Sequence, residues 1–458
     1  MIRRHCVLLA SSIALAGCGS IDTFRSEKID LPSQYGESLH AGERSAAAIP
    51  WDEIFPDPAL RSLIKEALDN GPDALLAMAQ VKEYAAIARV ARGAQFPSLQ
   101  YSLTTSPVAR ESGQNSASSY FSGVGAIWEI DLWGRYARAT EASRADWLAS
   151  TENSHGVTAS LVGSVANLYY TIAALDRTAE VVRAVADNQR EGLKIIQRQS
   201  RAGVLSAAEE RQQESALVAT EALLPAISQK RVQAENQLAL LLGRIPGVGS
   251  VNVPEVTVSP AEVPSGVPSE LLLRRPDIRG AEARLRAAHA RVEIARTLFF
   301  PDISLTGAVG SASTSLADAL NGNGAKITSI GPQANLPLFS GGALRANRDA
   351  AKARRDQAVI SYHQVIRSAF GEVAGDLHAI RTSAELRQIQ SRRTEVAIEA
   401  RRLAELRFRA GTTSFVELLD AQRQVLASQS DLIQAELSER QARVDLYLAL
   451  GGGWGESR

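Results

Sequence analysis

The chain says nearly the same thing twice. Pro72-Asp73 recurs as Pro276-Asp277, and Phe96-Pro97-Ser98-Leu99 as Phe300-Pro301-Asp302-Ile303. Leu132-Trp133-Gly134 has a looser echo in Leu338-Phe339-Ser340-Gly341. Arg201-Ala202-Gly203 returns as Arg409-Ala410-Gly411, with Ser206 matching Ser414, and Leu240-Leu241-Leu242-Gly243 returns as Leu448-Ala449-Leu450-Gly451. Echoes in the same order, about 204 to 208 residues apart, are far too long-spaced for a solenoid unit and mark one duplicated domain. The repeats run over 72–243 and 276–451, and a Pro-, Val- and Gly-rich linker over 244–275 joins them. The segment 18–71 precedes them and a short tail, 452–458, follows.

Within each repeat the pattern predicts a helix, two strands and two more helices. Asp73 to Gln95 and Asp277 to Phe299 carry helix formers without proline. Period-two segments follow, with Leu99, Tyr101, Leu103 and Thr105 on one face and Ile303, Leu305, Gly307 and Val309 repeating the theme. The expected strands are 98–106, 120–130, 302–310 and 326–336, separated by polar loops at Glu111 to Ser119 and Ser311 to Gly324. Alternating segments of roughly ten residues have the length of a tilted membrane-spanning strand. The same periodicity also fits a pair of soluble hairpins.

From Arg135 to about Ser200, and from Leu344 to about Phe408, there is no proline. Apolar residues recur there at spacings of three and four: Leu161, Val165, Leu168, Ile172, Leu175, Ala179 and Val182 in one half, Val359, His363, Ile366, Phe370, Val373, Leu377 and Ile380 in the other. That is a coiled-coil seam. A helix of about 65 residues is about 100 Å long, more than a compact domain accommodates. The short helix before the strands and the one after Arg-Ala-Gly together match that length. Each repeat therefore reads as a rod, hairpin strands at one end and the Arg-Ala-Gly turn at the other. Gly203 and Gly411 suit the left-handed position that ends a helix, and Ser206 and Ser414 suit the next N-cap.

Composition agrees. Hydrophobic residues make up 45% but aromatics only 5%, which favours long helices packed through small side chains. Lys+Arg and Asp+Glu balance at 50 each, which argues against a nucleic-acid partner. No uninterrupted apolar run reaches 18 residues, which excludes a spanning helix of that kind. The N-terminus has a basic start at Arg3 to His5, a short apolar run and Leu15-Ala16-Gly17-Cys18, so residues 1–17 read as a signal peptide. Its end resembles a bacterial lipobox. That implies cleavage before Cys18, lipidation there, and with Gly19 next an outer-membrane address.

Four strands cannot close a barrel, and an open edge in lipid leaves backbone groups unsatisfied. Two chains would supply eight strands with a nearly filled interior; three supply twelve, enough for a pore. At this point the sequence resembles the TolC-like outer-membrane efflux factor family, and within it the OprM/NodT-type lipoprotein branch. Pro50-Trp51 through Phe55-Pro56-Asp57-Pro58 and Leu271-Leu272-Leu273-Arg274-Arg275-Pro276-Asp277-Ile278-Arg279 look like motifs of that branch. The resemblance implies a mainly α protomer with a small β part: a homotrimer with a twelve-stranded β-barrel in the outer-membrane lipid, a long periplasmic α-helical barrel, and a belt drawn from 18–71, 244–275 and the C-terminus. It implies an exit duct for drugs or other small molecules, working with a periplasmic adaptor and an inner-membrane pump of RND type.

The implied adaptor-docking tips are Arg201, Gly203 and Ser206, and Arg409, Gly411 and Ser414. A constriction is expected where the halves differ, since Val416 and Asp420 stand where the first repeat has Ala208 and Gln212. They lie four apart on one helix face, at positions matching the hydrophobic and acidic rings of OprM-like ducts. A solvated Asp420 paired with Arg423 or Arg211 is the competing reading. No catalytic residue, cofactor or metal site is expected. Gly322-Asn323-Gly324-Ala325-Lys326 lacks phosphate-loop spacing, and His40, His155, His289, His363 and His378 lack metal-ligand spacing. Gly451-Gly452-Gly453 reads as part of a flexible tail. The competing function is a periplasmic coiled-coil adaptor or structural lipoprotein.

Overall fold

The computed structural model describes residues 49–108, 117–248, 253, 260–261 and 270–455. The signal peptide, Cys18 and most of the linker lie outside the described residues. The first repeat follows two short helices, α1 (Trp51–Ile54) and α2 (Pro58–Asn70), and comprises α3 (Pro72–Gly93), β1 (Ser98–Val108), β2 (Ala117–Glu129), α4 (Arg135–Arg201), α5 (Ala207–Glu221) and α6 (Leu223–Leu241). After α7 (Glu270–Arg274), the second has α8 (Pro276–Thr297), β3 (Asp302–Ser313), α9 (Leu316–Asn321), β4 (Ala325–Asn335), α10 (Ala343–Arg409) and α11 (Phe415–Ala449). Both long helices have 67 residues, about 100 Å of rod each.

Three local expectations need correction. The helix after the first tip is two helices, α5 and α6, broken at Ala222. Pro225 explains the break, because it offers no N–H to the Glu221 carbonyl and its ring crowds that oxygen. Ile433 occupies the matching place 208 residues on, and α11 runs unbroken. The loop expected over Ser311 to Gly324 instead continues β3 to Ser313 and then forms α9, which Ser315 caps by accepting from the Asp318 N–H. Gly451 to Gly453 are buried. A Cβ on Gly452 would meet the Tyr447 ring at 2.3 Å, so these glycines permit close packing where a flexible tail was expected. Beyond them Trp454 stacks on His155 with centroids 4.6 Å apart and lies against Arg279.

The helix that opens each repeat and the helix that ends it meet end to end beside the long one. A Cβ on Gly243 would lie 2.5 Å from the Asn70 carbonyl oxygen, just before α3 begins, and one on Gly71 would lie 2.8 Å from Leu241 O. In the second repeat, a Cβ on Gly451 would stand 3.1 Å from the Arg275 N, just before α8 begins. Here the core is thickest. Tyr169, Val165 and Ile172 of α4, Ile366 and Val373 of α10 and Val444 and Tyr447 of α11 are buried together with Trp51, Phe55 and Ile64. One window of α4 is apolar enough to cross a membrane, yet half of it is buried in the protomer.

The quoted sequence motifs earn their places in this core. Asp57 caps α2 through the Ala59 N–H (2.9 Å) and accepts from the Tyr169 hydroxyl (2.7 Å), while Phe55 packs edge-on to Tyr447. Buried Arg275 holds Asp277 with two bonds (3.0 and 2.7 Å), reaches Glu372 (2.7 Å) and donates to the Ala449 carbonyl (2.9 Å). It ties α8, α10 and α11 together. The described linker residues join this layer, since Ala261 N bonds Ile54 O and Arg443 bonds Pro260 O.

The strands form one antiparallel sheet in the order β1-β2-β3-β4, with β1 and β4 as open edges. The register decides what each face carries. Tyr101 pairs with Val124, Val124 with Val309 and Val309 with Thr328; Leu99 aligns with Ala126 and Gly307, and Gly307 with Ile330. The apolar positions of the strands thus share one face. The opposite face carries Gln100, Ser102, Thr104, Ser304, Thr306, Gln333 and Ser329, with few apolar exceptions such as Phe121 and Ile127. Both faces are exposed along most of β1 and β4 and half-buried along much of β2 and β3.

Candidate functional site

The two helix-turn tips are built alike. After α4, Gly203 takes φ 75°, its N–H bonds Ser200 O (3.0 Å), and the Val204 N–H bonds Gln199 O (2.9 Å). After α10, Gly411 takes φ 73°, with Gly411 N to Phe408 O at 3.0 Å and Thr412 N to Arg407 O at 2.9 Å. These bonds use carbonyls that a helix end otherwise leaves unpaired, and the positive φ is the reason for glycine. Ser206 then caps α5 in a reciprocal box. Glu209 N donates to its hydroxyl (3.4 Å) and Ser206 N donates to the Glu209 carboxylate (2.8 Å). Ser414 caps α11 through Glu417 N at 3.4 Å.

The tips differ in what secures them. Glu417 turns away from the Ser414 N–H and accepts instead from Arg407 (3.0 Å) and from the Thr413 hydroxyl, while the Thr412 hydroxyl bonds Arg407 O (3.0 Å). Phe408 and Phe415 pack across the turn with centroids 5.5 Å apart. The matching places in the first tip hold Ser200 and Ala207. This lock is not among the features expected from the sequence. Its readable signal is Ser414-x-x-Glu417, the pattern of a capping box, which Ser206-x-x-Glu209 completes and Ser414-x-x-Glu417 diverts.

Behind the tips the two hairpins converge. Ile196 of α4, Ala216 of α5, Ala404 of α10 and Phe415, Leu418 and Leu419 of α11 form one buried cluster. Arg201, Gly203, Ser206, Arg409, Gly411 and Ser414 all stay exposed around it. Val416 and Asp420 lie on the other side of α11, where Val416 is 58% exposed and Asp420 is exposed. Arg211 pairs with Glu214 at 2.6 Å, and Asp420 makes no ion pair among the described residues. The structure therefore brings the two tips together and presents Val416 and Asp420 as one outward stripe.

Farther up the rod, Asp376 of α10 lies among Asp445 of α11, Glu372 of its own helix and Arg275. Burial first, then Asp445 and Glu372, push its carboxyl up to about 6 against the pull of Arg275. Burial also raises the Asp445 carboxyl, opposed by a hydrogen bond from Asn167 (3.2 Å). No local motif announces this group, because its members come together only through tertiary packing.

A duplicated helix–hairpin–helix rod with an open, two-faced sheet at one end finds its match among known proteins. The family model described as outer membrane efflux protein matches residues 63–244 and again 267–452, once for each repeat. The chain belongs to the outer membrane efflux protein family. It is 34% identical over 459 residues to the toluene efflux pump outer membrane protein TtgI of Pseudomonas putida, covering 97% of each chain. It is 31% identical to the pyoverdine export outer membrane protein OpmQ of Pseudomonas aeruginosa, covering 100% of this chain and 98% of that one. The open state of the MtrE outer membrane channel of Neisseria gonorrhoeae superposes with a TM-score of 0.86 at 30% identity, over 95% of this chain and 99% of that one. The protein is the outer-membrane channel component of an efflux pump, and the reading as a periplasmic adaptor or tether is set aside. Members of the family are channels rather than enzymes.

Proposed function

We propose that three copies pool their strands into a twelve-stranded barrel in the outer membrane, continued by a helical barrel about 100 Å long that conducts cargo passively. The observation that carries this is the four-stranded sheet, apolar on one face, polar on the other and open at both edges. Lipid suits the first face, water the second, and neighbouring copies satisfy the edges. The tips at Gly203 and Gly411 dock a periplasmic adaptor, which links the duct to an inner-membrane pump of RND type. The duct itself does no chemistry. Toluene and pyoverdine, the cargoes in two relatives' names, share little chemistry, which supports a channel that does not select.

Near the tips, Val416 and Asp420 face the axis and form the narrowest rings. Three unpaired carboxylates attract cations and repel one another, so the closed ring favours cation passage. In planar-bilayer recordings, Val416→Ala and Asp420→Ala should each raise single-channel conductance, and Asp420→Ala should also reduce cation preference. Recordings indistinguishable from the parent in both variants reject the constriction while leaving the duct intact. Acylation at Cys18 adds an anchor. Cys18→Ser should abolish acyl labelling and only partly impair export, and a mature N-terminus elsewhere by mass spectrometry would remove that assignment.

A further inference from the structure

The chain contains one complete seam between its repeats and, at its two edges, the unjoined halves of another. In the complete seam the β2–β3 ladder is extended by Ile130 N to Ile303 O at 2.8 Å. Just below it Trp133 stacks on Phe300, with centroids 4.9 Å apart and planes 21° from parallel. The Trp133 indole N–H donates to Pro301 O (2.8 Å), and Arg135 pairs with Asp302 (2.8 Å). The helices below follow suit, as α8 packs against both α4 and α10.

The unjoined halves carry the same parts without their partners. By the repeated motifs, Phe96 stands where Phe300 does and Phe339 where Trp133 does. Phe339 is 91% exposed and Phe96 is 58% exposed. Both flank strands with an open edge, Phe96 before β1 and Phe339 after β4. The helix α3, counterpart of α8, packs on α4 but leaves Leu76 and Val90 exposed on a flank that α10 does not cover.

We propose that Phe339 of one copy stacks on Phe96 of the next copy of this chain, closing each β4–β1 joint with the aromatic clasp that Trp133 and Phe300 supply inside the chain. The inference rests on the duct reading above and assigns the contact that closes it. A second copy is the occupant because this same chain already shows both sides of the joint fitting together. The clasp between copies differs in one physical respect. Phenylalanine has no N–H to match the bond to Pro301 O, Ser98 stands in place of Asp302, and Ala343 begins α10 where Arg135 begins α4. The segment after β4, residues 336–342, is also longer than 130–134 after β2. The joint between copies is therefore an apolar stack on a longer arm, while the joint within the chain is stacked, hydrogen-bonded and ion-paired.

The test uses full-length protein in detergent, in a Cys6→Ser, Cys18→Ser background. Phe96→Cys with Phe339→Cys should give covalent dimers and trimers on a denaturing gel after oxidation or addition of a short thiol cross-linker. Trp133→Cys with Phe300→Cys should give none, because that pair joins within one chain. A double variant that is trimeric by light scattering yet yields only monomer overturns the clasp and leaves Phe339 facing lipid. A parent protein that is not trimeric overturns the duct reading as well. Independently, Phe339→Ala should lower the temperature at which the trimer dissociates by a few degrees, while Phe339→Trp should match or raise it. Dissociation of both variants at the parental temperature also overturns the clasp.

Discussion

At Gly411 the backbone holds φ 73°, and a Cβ built there would meet nothing within 4 Å. The position needs glycine for its dihedral alone. Gly411→Ala should thus cost about 1–2 kcal/mol in the left-handed region, and Gly411→Asn less. Hydrogen exchange over Arg407 to Glu417 measures it; equal protection in all three proteins would remove the argument. Asp376 is a second residue with a calculable signature. Its folded carboxyl keeps a proton to about pH 6, whereas an unfolded aspartate releases it near pH 4. Between those values the folded state binds more protons, so this contribution to stability falls as pH rises through the window. Asp376→Asn should flatten that slope in thermal unfolding and add of order 1 kcal/mol at neutral pH, after discounting for the partly solvated site. A variant with the parental slope would contradict the assignment. The glycine was legible because Arg-Ala-Gly followed by serine is a local stop-and-start signal. Asp376 was not, because Asp445 and Arg275 reach it from elements far away in sequence.

Among the elements, absence of proline was the most informative signal. It let α4 and α10 run unbroken, because a single proline stops a helix more surely than any propensity, while Gly134, Gly342 and the Arg-Ala-Gly turns marked their ends to within a residue or two. The same rule, applied to Pro225, would have found the break between α5 and α6. There the length match with the long helix favoured one unbroken helix, and the proline overrides it. Pro225→Ala restores an N–H four residues beyond Glu221 and should slow exchange of amides 222–226 about tenfold, with no change in α11. An unaltered exchange pattern would place the cause of the break elsewhere. The glycines 451–453 illustrate the opposite difficulty. A glycine cluster fits mobility and close backbone approach equally well, and only the Tyr447 ring against Gly452 decides between them.

For the whole molecule, the duplication made the rod-and-hairpin plan readable, since each weak signal appeared twice. The matched helix lengths also implied that each repeat closes on itself, and the glycines supply the contact. Gly243 abuts Asn70 where α3 begins, and Gly451 abuts Arg274 and Arg275 where α8 begins, so the two ends of each repeat lie side by side. Polypeptide continuity between the repeats is then a convenience of synthesis rather than a requirement of architecture. A gene split between the codons for Gly247 and Val248, both exposed, should yield two fragments that complement each other. Co-expressed, they should co-purify at one-to-one stoichiometry and restore efflux to a strain lacking the channel. Fragments that never associate would mean that the covalent link is itself structural. If complementation holds, an ancestor encoding one repeat, assembling as six copies around the axis, becomes a form of this channel that can be built and tested.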